Sequence, residues 1–223
     1  MKLILKSKKS EVEGVHSFRF EPQEPLNWQS GQYMHYVLEH GKPDYRGIER
    51  WFTIASAPFE KHVMITTRFD GERVSSFKMA LLNMKPGDAI EADGPKGSFT
   101  LQEGDHHHIL IAGGIGITPY RSMLAKLDHE GRDAKIELMY ANRDNNLVFG
   151  NELKGLQAKI PSFQLTEFID KRIDLADLQD FLKDSSAIYY LSGPRPLVEN
   201  YEKLLTDTGV AESAIMTDYF PGY

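Results

Sequence analysis

The sequence predicts a six-stranded antiparallel β-barrel with one helix, followed by an α/β domain with a five-stranded parallel sheet. Two observations predict this fold. Short strand-like runs separated by glycine and proline fill the first hundred residues, and strand-like runs alternate with helical segments of about ten residues after that. We expect the two domains to span residues 1–103 and 104–223.

The barrel is predicted from segments that are rich in β-branched and aromatic residues or alternate between apolar and polar ones. These segments are residues 3–8, 14–20, 32–38, 50–55, 62–69 and 89–92. One helix interrupts them, because Val74, Phe77, Leu81 and Met84 recur at helical spacing.

The second domain is predicted from strands that each lead into a helix. The expected strands are residues 109–112, 135–140, 163–168, 187–191 and 214–219, and the expected helices are residues 119–129, 151–158, 175–182 and 196–205. Such βαβ units imply a parallel sheet with right-handed crossovers.

A glycine-rich turn follows the first strand of this second domain. Gly113, Gly114 and Gly116 come directly after a continuous apolar run, which is typical of a buried parallel strand. Thr118 is predicted to cap the next helix, with Pro119 at its first position. This geometry directs backbone N–H groups and a helix dipole at an anion. A tight turn without a ligand explains the glycines equally well.

Composition excludes several classes of function. The 223 residues carry a net charge of −6, which argues against nucleic-acid binding, and they include no cysteine for a disulfide, a thiolate zinc site or an iron–sulfur cluster. We expect no membrane span and no signal peptide, and therefore a cytoplasmic protein. His106, His107 and His108 alternate in direction along a strand, so we expect an interdomain surface there and no metal site.

Several short motifs occur in a characteristic order. They are Arg50-Trp51-Phe52-Thr53, residues 71–76, residues 94–99, residues 113–119, residues 140–143, Ser192-Gly193-Pro194 and residues 218–223. This order resembles the ferredoxin–NADP reductase superfamily over essentially the whole chain. The resemblance implies a flavin-binding barrel and a nicotinamide-nucleotide domain, with FAD and NADP or NAD as cofactors.

On the flavin side, the resemblance implies that Arg50 pairs with the flavin phosphate and that Phe52 lies against the isoalloxazine ring. Thr53 would place its hydroxyl near flavin N5. The family usually has tyrosine where this chain has Phe52. The other implied flavin contacts are Trp51, Thr66, Thr67, Arg68, Val74, Ser75 and Ser76. Ser75 and Ser76 open a helix, which favours a pyrophosphate and hence FAD over FMN, although a simple N-cap explains one serine equally well.

On the nicotinamide side, the resemblance implies a larger set of contacts. They are Gly113, Gly114, Gly116, Thr118, Pro119, Asn142, Arg143, Gly193, Pro194 and Arg195. Arg143, supported by Lys171 and Arg172, favours NADPH. Ser192 stands where the family usually has a cysteine beside the nicotinamide, and Tyr223 would cover the flavin face. Thr53, Ser192 and Tyr223 form the expected catalytic set.

The function implied by the resemblance is hydride transfer from NAD(P)H to FAD, followed by one-electron transfer to a separate acceptor. A small electron carrier such as ferredoxin or flavodoxin fits that acceptor. One alternative is a reductase of the same fold that uses a quinone, a free flavin, ferric iron or a partner subunit. Another is a regulatory subunit that binds a nucleotide without turnover. The departures at Phe52 and Ser192 leave this last alternative open.

Overall fold

The fold consists of two β-sheets that pack against each other. The computed structural model describes residues 1–69 and 74–219. The first sheet contains β1 (Lys2–Val12), β2 (Val15–Pro22), β3 (Tyr33–Val37), β4 (Glu49–Thr53), β5 (Val63–Arg68) and β6 (Ala89–Lys96). Helix α1 (Ser76–Asn83) lies between β5 and β6. Each predicted barrel segment is thus a strand.

The first sheet is antiparallel, with the strand order β4-β3-β6-β1-β2-β5. Its two edge strands approach each other just after β4, where the Ala55 N–H donates to the Met64 carbonyl at 2.8 Å. Alternating apolar residues point to the interior, where Phe18, Phe52 and Phe77 belong to one buried cluster. The curled sheet and α1 confirm the predicted six-stranded barrel.

The second half alternates strands and helices as predicted. Its elements are β7 (His107–Gly113), α2 (Thr118–Glu130), β8 (Ile136–Asn142), α3 (Gly150–Gln157), β9 (Phe163–Ile169), α4 (Leu175–Leu178), β10 (Ala187–Ser192), α5 (Arg195–Asp207) and β11 (Ile215–Asp218). All neighbouring strands are parallel, in the order β11-β10-β7-β8-β9. The central strand β7 is buried along its whole length, as expected for a sheet covered on both faces.

The strand order creates a crevice between β7 and β10. From β7 the chain moves outward to β8 and β9, and it then returns to the other side of β7 through β10. Ligands of open α/β sheets bind at such a reversal, outside the carboxyl ends of the strands. The glycine turn after β7 and the Ser192-Gly193-Pro194 turn after β10 both lie there.

The two halves share a core and a network of polar contacts. Met64 and Phe99 from the barrel half belong to the same buried cluster as Leu124 of α2. Arg121 of α2, only 7% exposed, pairs with Glu60 of the barrel and with Glu152 of α3. The boundary expected after residue 103 falls between β6 and β7, and the assignment of one cofactor to each half stays a prediction.

Two local predictions are wrong. Thr118 does not cap α2, because a 3-10 turn over Gly114–Ile117 runs directly into the helix and leaves Thr118 in helical geometry. The helix predicted for residues 175–182 ends at Leu178 and is followed by a 3-10 turn. The interdomain surface expected at residues 106–108 stays a prediction. His107 and His108 are buried at the start of β7, and burial together with the neighbouring histidines lowers the pKa of His108 to about 4.

The longest helices of the second half that the structure describes, α2 and α5, each have 13 residues. Within residues 1–69 and 74–219, no helix combines the length and the apolar character needed to cross a lipid bilayer.

Candidate cofactor site between the two sheets

A cavity of about 200 Å³ lies where the barrel meets the carboxyl edge of the parallel sheet. Both sheets contribute to its wall. The lining residues that the sequence predicts as site residues are Trp51, Phe52, Thr53, Thr66, Thr67, Gly116, Thr118, Ser192, Gly193, Pro194 and Arg195. The structure therefore brings the motifs expected to bind flavin and nicotinamide, which are distant in the chain, to one place.

A buried carboxylate joins the two halves at this cavity. Thr53 Oγ1, at the end of β4, donates to Asp218 Oδ2 at 3.1 Å, and Ser192 Oγ donates to the same oxygen at 3.2 Å. All three residues are buried. Burial raises the pKa of Asp218 from 3.8 to about 6, although both hydroxyl hydrogen bonds lower it.

Asp218 is a candidate site residue that the sequence motifs do not single out. It belongs to the carboxyl-terminal motif of residues 218–223, which carries no expected role for it. Its position at the end of the last strand could have indicated a site residue. Strands β10 and β11 pair in parallel, and this pairing places Ser192 beside Asp218. Carboxyl ends of parallel strands converge at one edge of the sheet, so the register of these strands would have identified it.

Strand β4 sets the flavin-side residues in place. Phe52 lines the cavity but is only 7% exposed, since its ring packs 5.9 Å from that of Tyr36 and 6.0 Å from that of Phe77. The guanidinium of Arg50 extends to α1, where it lies 5.5 Å from the Phe77 ring. Arg50 thus places a buried cation beside the first turn of α1.

Several predicted residues lie at the edges of this site. Ser75 is the N-cap of α1 and accepts a hydrogen bond from the Lys78 N–H at 3.2 Å. Asn142 folds back on its own loop, where its amide donates to the Asp144 carbonyl at 2.8 Å. Arg143 is exposed beyond the end of β8, and Tyr223 lies outside the described residues. The remaining predicted residues, which do not line the cavity, are Arg68, Val74, Ser76, Gly113, Gly114 and Pro119.

Contacts within the protein require glycine at one or more positions of the glycine turn. A Cβ atom at Gly116 would lie 2.2 Å from the carbonyl oxygen of Ser192, so only glycine lets this turn reach the end of β10. Gly114 has φ of +54° and more space around it, and its carbonyl accepts a hydrogen bond from the Tyr140 hydroxyl at 3.0 Å. The Gly116 contact fixes the two turns relative to each other.

We expect Gly116→Ala to weaken nicotinamide-nucleotide binding by about tenfold or more, because the new methyl group pushes the Ser192-Gly193 turn out of place. The free energy of unfolding should fall by about 1–3 kcal/mol. Titration calorimetry with NADP⁺ and thermal unfolding measure the two effects. Gly41→Ala is the matched control, since nothing lies within 4 Å of a Cβ at that position. Equal behaviour of the two variants would contradict this prediction.

Comparison with known proteins agrees with this arrangement. Residues 110–203 match the family described as the oxidoreductase NAD-binding domain. This segment begins in β7, includes the glycine turn and the Ser192-Gly193-Pro194 turn, and ends in α5. This match supports the resemblance of the chain to the ferredoxin–NADP reductase superfamily.

Two curated proteins are similar in sequence to this chain. A flavohemoprotein of Bordetella pertussis is 30% identical over 151 residues, which are 60% of this chain and 38% of the relative. The toluate 1,2-dioxygenase electron transfer component of Pseudomonas putida is 28% identical over 64% of this chain and 45% of its own length. The chain therefore spans less than half of either relative.

Solved structures show the same fold over nearly the whole chain. The flavohem-like FAD/NAD-binding domain of nitric oxide dioxygenase from Vibrio cholerae superposes with a TM-score of 0.84 at 22% identity and covers 98% of both chains. Ferredoxin–NADP⁺ reductase from Plasmodium falciparum superposes with a TM-score of 0.82 at 16% identity, covering 98% of this chain and 95% of that one.

Proposed function

We propose that the protein is a flavoprotein oxidoreductase that transfers hydride from NAD(P)H, with NADPH favoured, to FAD and passes the electrons to a separate acceptor. The observation that carries the proposal is the bridge from Thr53 through Asp218 to Ser192. It joins the strand with the expected flavin motif to the two strand ends that face the expected nicotinamide site. FAD, when bound, supplies an acceptor of two electrons that returns them one at a time.

The barrel offers residues suited to each end of a flavin. Arg50 supplies a guanidinium beside the first turn of α1, where backbone N–H groups and the helix dipole favour a phosphate. Phe52 and Trp51 supply apolar wall to the cavity, and Thr53 supplies a hydroxyl. The side chains present therefore fit a flavin with its phosphate directed toward α1.

The parallel sheet offers the matching site for the nicotinamide nucleotide. Gly114 and Gly193 have positive φ angles, and their turns expose backbone groups at the crevice between β7 and β10. Ser192 and Asp218 hold each other by a hydrogen bond in the wall of the cavity. The proposed role of these groups is to orient the nicotinamide ring against the flavin. A covering role for Tyr223 belongs to the same proposal.

The preference for NADPH is supported by cations at the edge of the sheet. Arg143 follows β8, while Lys171 and Arg172 follow β9, and all three side chains are exposed. Guanidinium and ammonium groups there can pair with a 2′-phosphate. Lys171 already faces Asp177 at 3.3 Å, so Arg143 is the stronger candidate.

The acceptor is proposed to be a small electron-carrier protein such as ferredoxin or flavodoxin, or a diffusible molecule. One relative is named as an electron transfer component of a dioxygenase, which supports transfer to a partner protein. The chain contains no cysteine with which to hold an iron–sulfur relay of its own.

Reconstitution with FAD tests the proposal. The purified protein, incubated with FAD and freed of excess flavin, is expected to reduce ferricyanide with either coenzyme and to show the lower KM with NADPH. Boiled protein and free FAD at the same concentration are the controls. A rate no higher than that of free FAD with both coenzymes would contradict the proposed activity, whereas a lower KM for NADH would contradict only the coenzyme preference.

A further inference from the structure

The carboxylate of Asp44 occupies the start of helix α1. Its Oδ2 atom accepts hydrogen bonds from the Ser76 backbone N–H at 2.9 Å and from Arg46 Nη2 at 2.7 Å and Nε at 3.1 Å. Its Oδ1 atom accepts from the Arg46 backbone N–H at 2.9 Å, and the Asp44 N–H donates to Ser76 Oγ at 2.8 Å. An anion held by a helix N–H group and a guanidinium is bound much as a phosphate oxygen would be.

This position coincides with the one that the proposed function gives to the flavin phosphate. Arg50 donates from Nη1 to the Arg46 carbonyl at 2.8 Å, so Arg46 and Arg50 lie next to each other at the first turn of α1. The same turn contributes Lys78 to the wall of the cavity, and Phe77 packs on Phe52. The Asp44 carboxylate is therefore at the phosphate end of the site.

Asp44 and a flavin phosphate cannot use the same donors at once. A backbone N–H has one hydrogen, and the Ser76 N–H already donates to Asp44. The Lys78 N–H donates to Ser75 Oγ. The Arg46 hydrogen bonds keep the pKa of Asp44 well below its usual range, so the carboxylate is ionised at neutral pH and repels a phosphate.

We propose that Asp44 is an internal competitor for the phosphate of the flavin and so determines how the protein discriminates between flavins. This inference rests on the proposed function. A flavin that carries phosphate must displace the carboxylate and take over Arg46 and the Ser76 N–H, whereas riboflavin, which has no phosphate, leaves Asp44 in place. Asp44 thus lowers affinity for FMN and FAD without changing affinity for riboflavin.

Titration of riboflavin, FMN and FAD tests the proposal on the apoprotein, with quenching of flavin fluorescence as the readout. Asp44→Asn and Asp44→Ala are expected to tighten binding of FMN and FAD by about tenfold to a hundredfold. This is the effect expected when the phosphate gains one charge-assisted hydrogen bond. Affinity for riboflavin should stay within about twofold. The gain should shrink as salt increases, because it is electrostatic.

Two further variants separate the competitor role from a structural one. Glu21→Gln removes an equal charge from an exposed pair with Lys6 elsewhere on the barrel and should leave all three affinities unchanged. Adding Arg46→Ala to Asp44→Asn should cancel the gain, since Arg46 is the donor that Asp44 releases. Circular dichroism verifies the fold of each variant, and Asp44→Asn keeps the test valid if Asp44→Ala does not fold.

The inference is overturned if FMN and FAD bind the Asp44 variants no more tightly than the wild type. It is also overturned if the affinity for riboflavin increases as much as the affinities for FMN and FAD, because Asp44 would then affect binding of the isoalloxazine ring and not of the phosphate. Failure of wild type and variants alike to bind any of the three flavins would contradict the proposed function as well. Binding of flavin without an effect of Asp44 contradicts only this inference.

Discussion

Replacing Asp218 with asparagine is expected to raise the free energy of unfolding at pH 7 and to slow reduction of bound flavin by NAD(P)H. Asparagine keeps an oxygen that can accept from Thr53 and Ser192, so the substitution mainly removes the charge. The variant should therefore gain stability and lose activity.

The gain in stability follows from the raised pKa. Moving the pKa of Asp218 from 3.8 to about 6 means that ionising it in the folded protein costs about 3 kcal/mol at neutral pH. Protonated Asp218 therefore contributes to stability; this contribution is complete below about pH 4 and is lost as the pH rises through about 6. We expect the free energy of unfolding of Asp218→Asn to exceed that of the wild type by about 1–3 kcal/mol at pH 7 and to equal it near pH 4.

The loss in activity follows from the position of the charge. A nicotinamide ring becomes cationic when it gives up hydride, and the buried Asp218 carboxylate would stabilise that charge on a ring bound in the proposed site. We expect the rate of flavin reduction at pH 7 to fall about 10- to 100-fold. Below pH 6 the wild type should slow as Asp218 gains a proton, so the two rates should converge.

Denaturant unfolding and anaerobic stopped-flow reduction, each measured from pH 4 to pH 8, check both parts of this prediction. Asp207→Asn is the control, because Asp207 forms an exposed pair with Lys203 and its loss should change stability by no more than about 0.5 kcal/mol. The structural account of Asp218 is wrong if the asparagine variant is less stable at pH 7 and keeps the pH dependence of the wild type.

Replacing Arg50 with alanine is expected to remove most of the flavin from the purified protein. The planar guanidinium of Arg50 can bind a phosphate through two hydrogen bonds, and its place beside α1 leaves little solvent to screen them. We expect the Kd for FAD to rise about a hundredfold or more in Arg50→Ala. Arg50→Lys keeps the positive charge but loses the planar pair of N–H donors, so an intermediate Kd is expected.

The ratio of protein-bound flavin absorbance to protein absorbance after purification, together with Kd values from fluorescence, measures this effect. Arg19→Ala removes an exposed arginine from β2 and should retain flavin at the level of the wild type. Riboflavin should be affected much less than FAD by Arg50→Ala. Full yellow colour in purified Arg50→Ala would rule out the assigned role.

Local sequence signals were sufficient for most of the fold. The barrel strands and the βαβ units are predicted because each carries its own apolar pattern and turn residues, as β7 and its glycine turn show. The predicted cap at Thr118 is wrong because a serine or threonine before a helix usually indicates an N-cap, whereas here a 3-10 turn continues into α2. Short-range patterns do not distinguish these two helix starts.

The site was only partly predictable, because its decisive contacts join distant parts of the chain. Thr53 and Asp218 are 165 positions apart, and Asp44 and Ser76 are 32 apart. Motif order indicates Thr53 and Ser192, but their shared hydrogen-bond acceptor is Asp218, which the register of β10 and β11 places beside Ser192. Asp44 lies in a loop without a motif, so only its contacts with α1 reveal it.

In the proposed function, the barrel holds a flavin that a nicotinamide nucleotide bound at the parallel sheet reduces directly. The most direct test is the visible spectrum of the FAD-reconstituted protein during anaerobic addition of NADPH. We predict that the flavin absorption bleaches in a single phase with one equivalent of NADPH, and that admitting air restores it. Flavin that stays bound but fails to bleach with either NADPH or NADH would contradict this account.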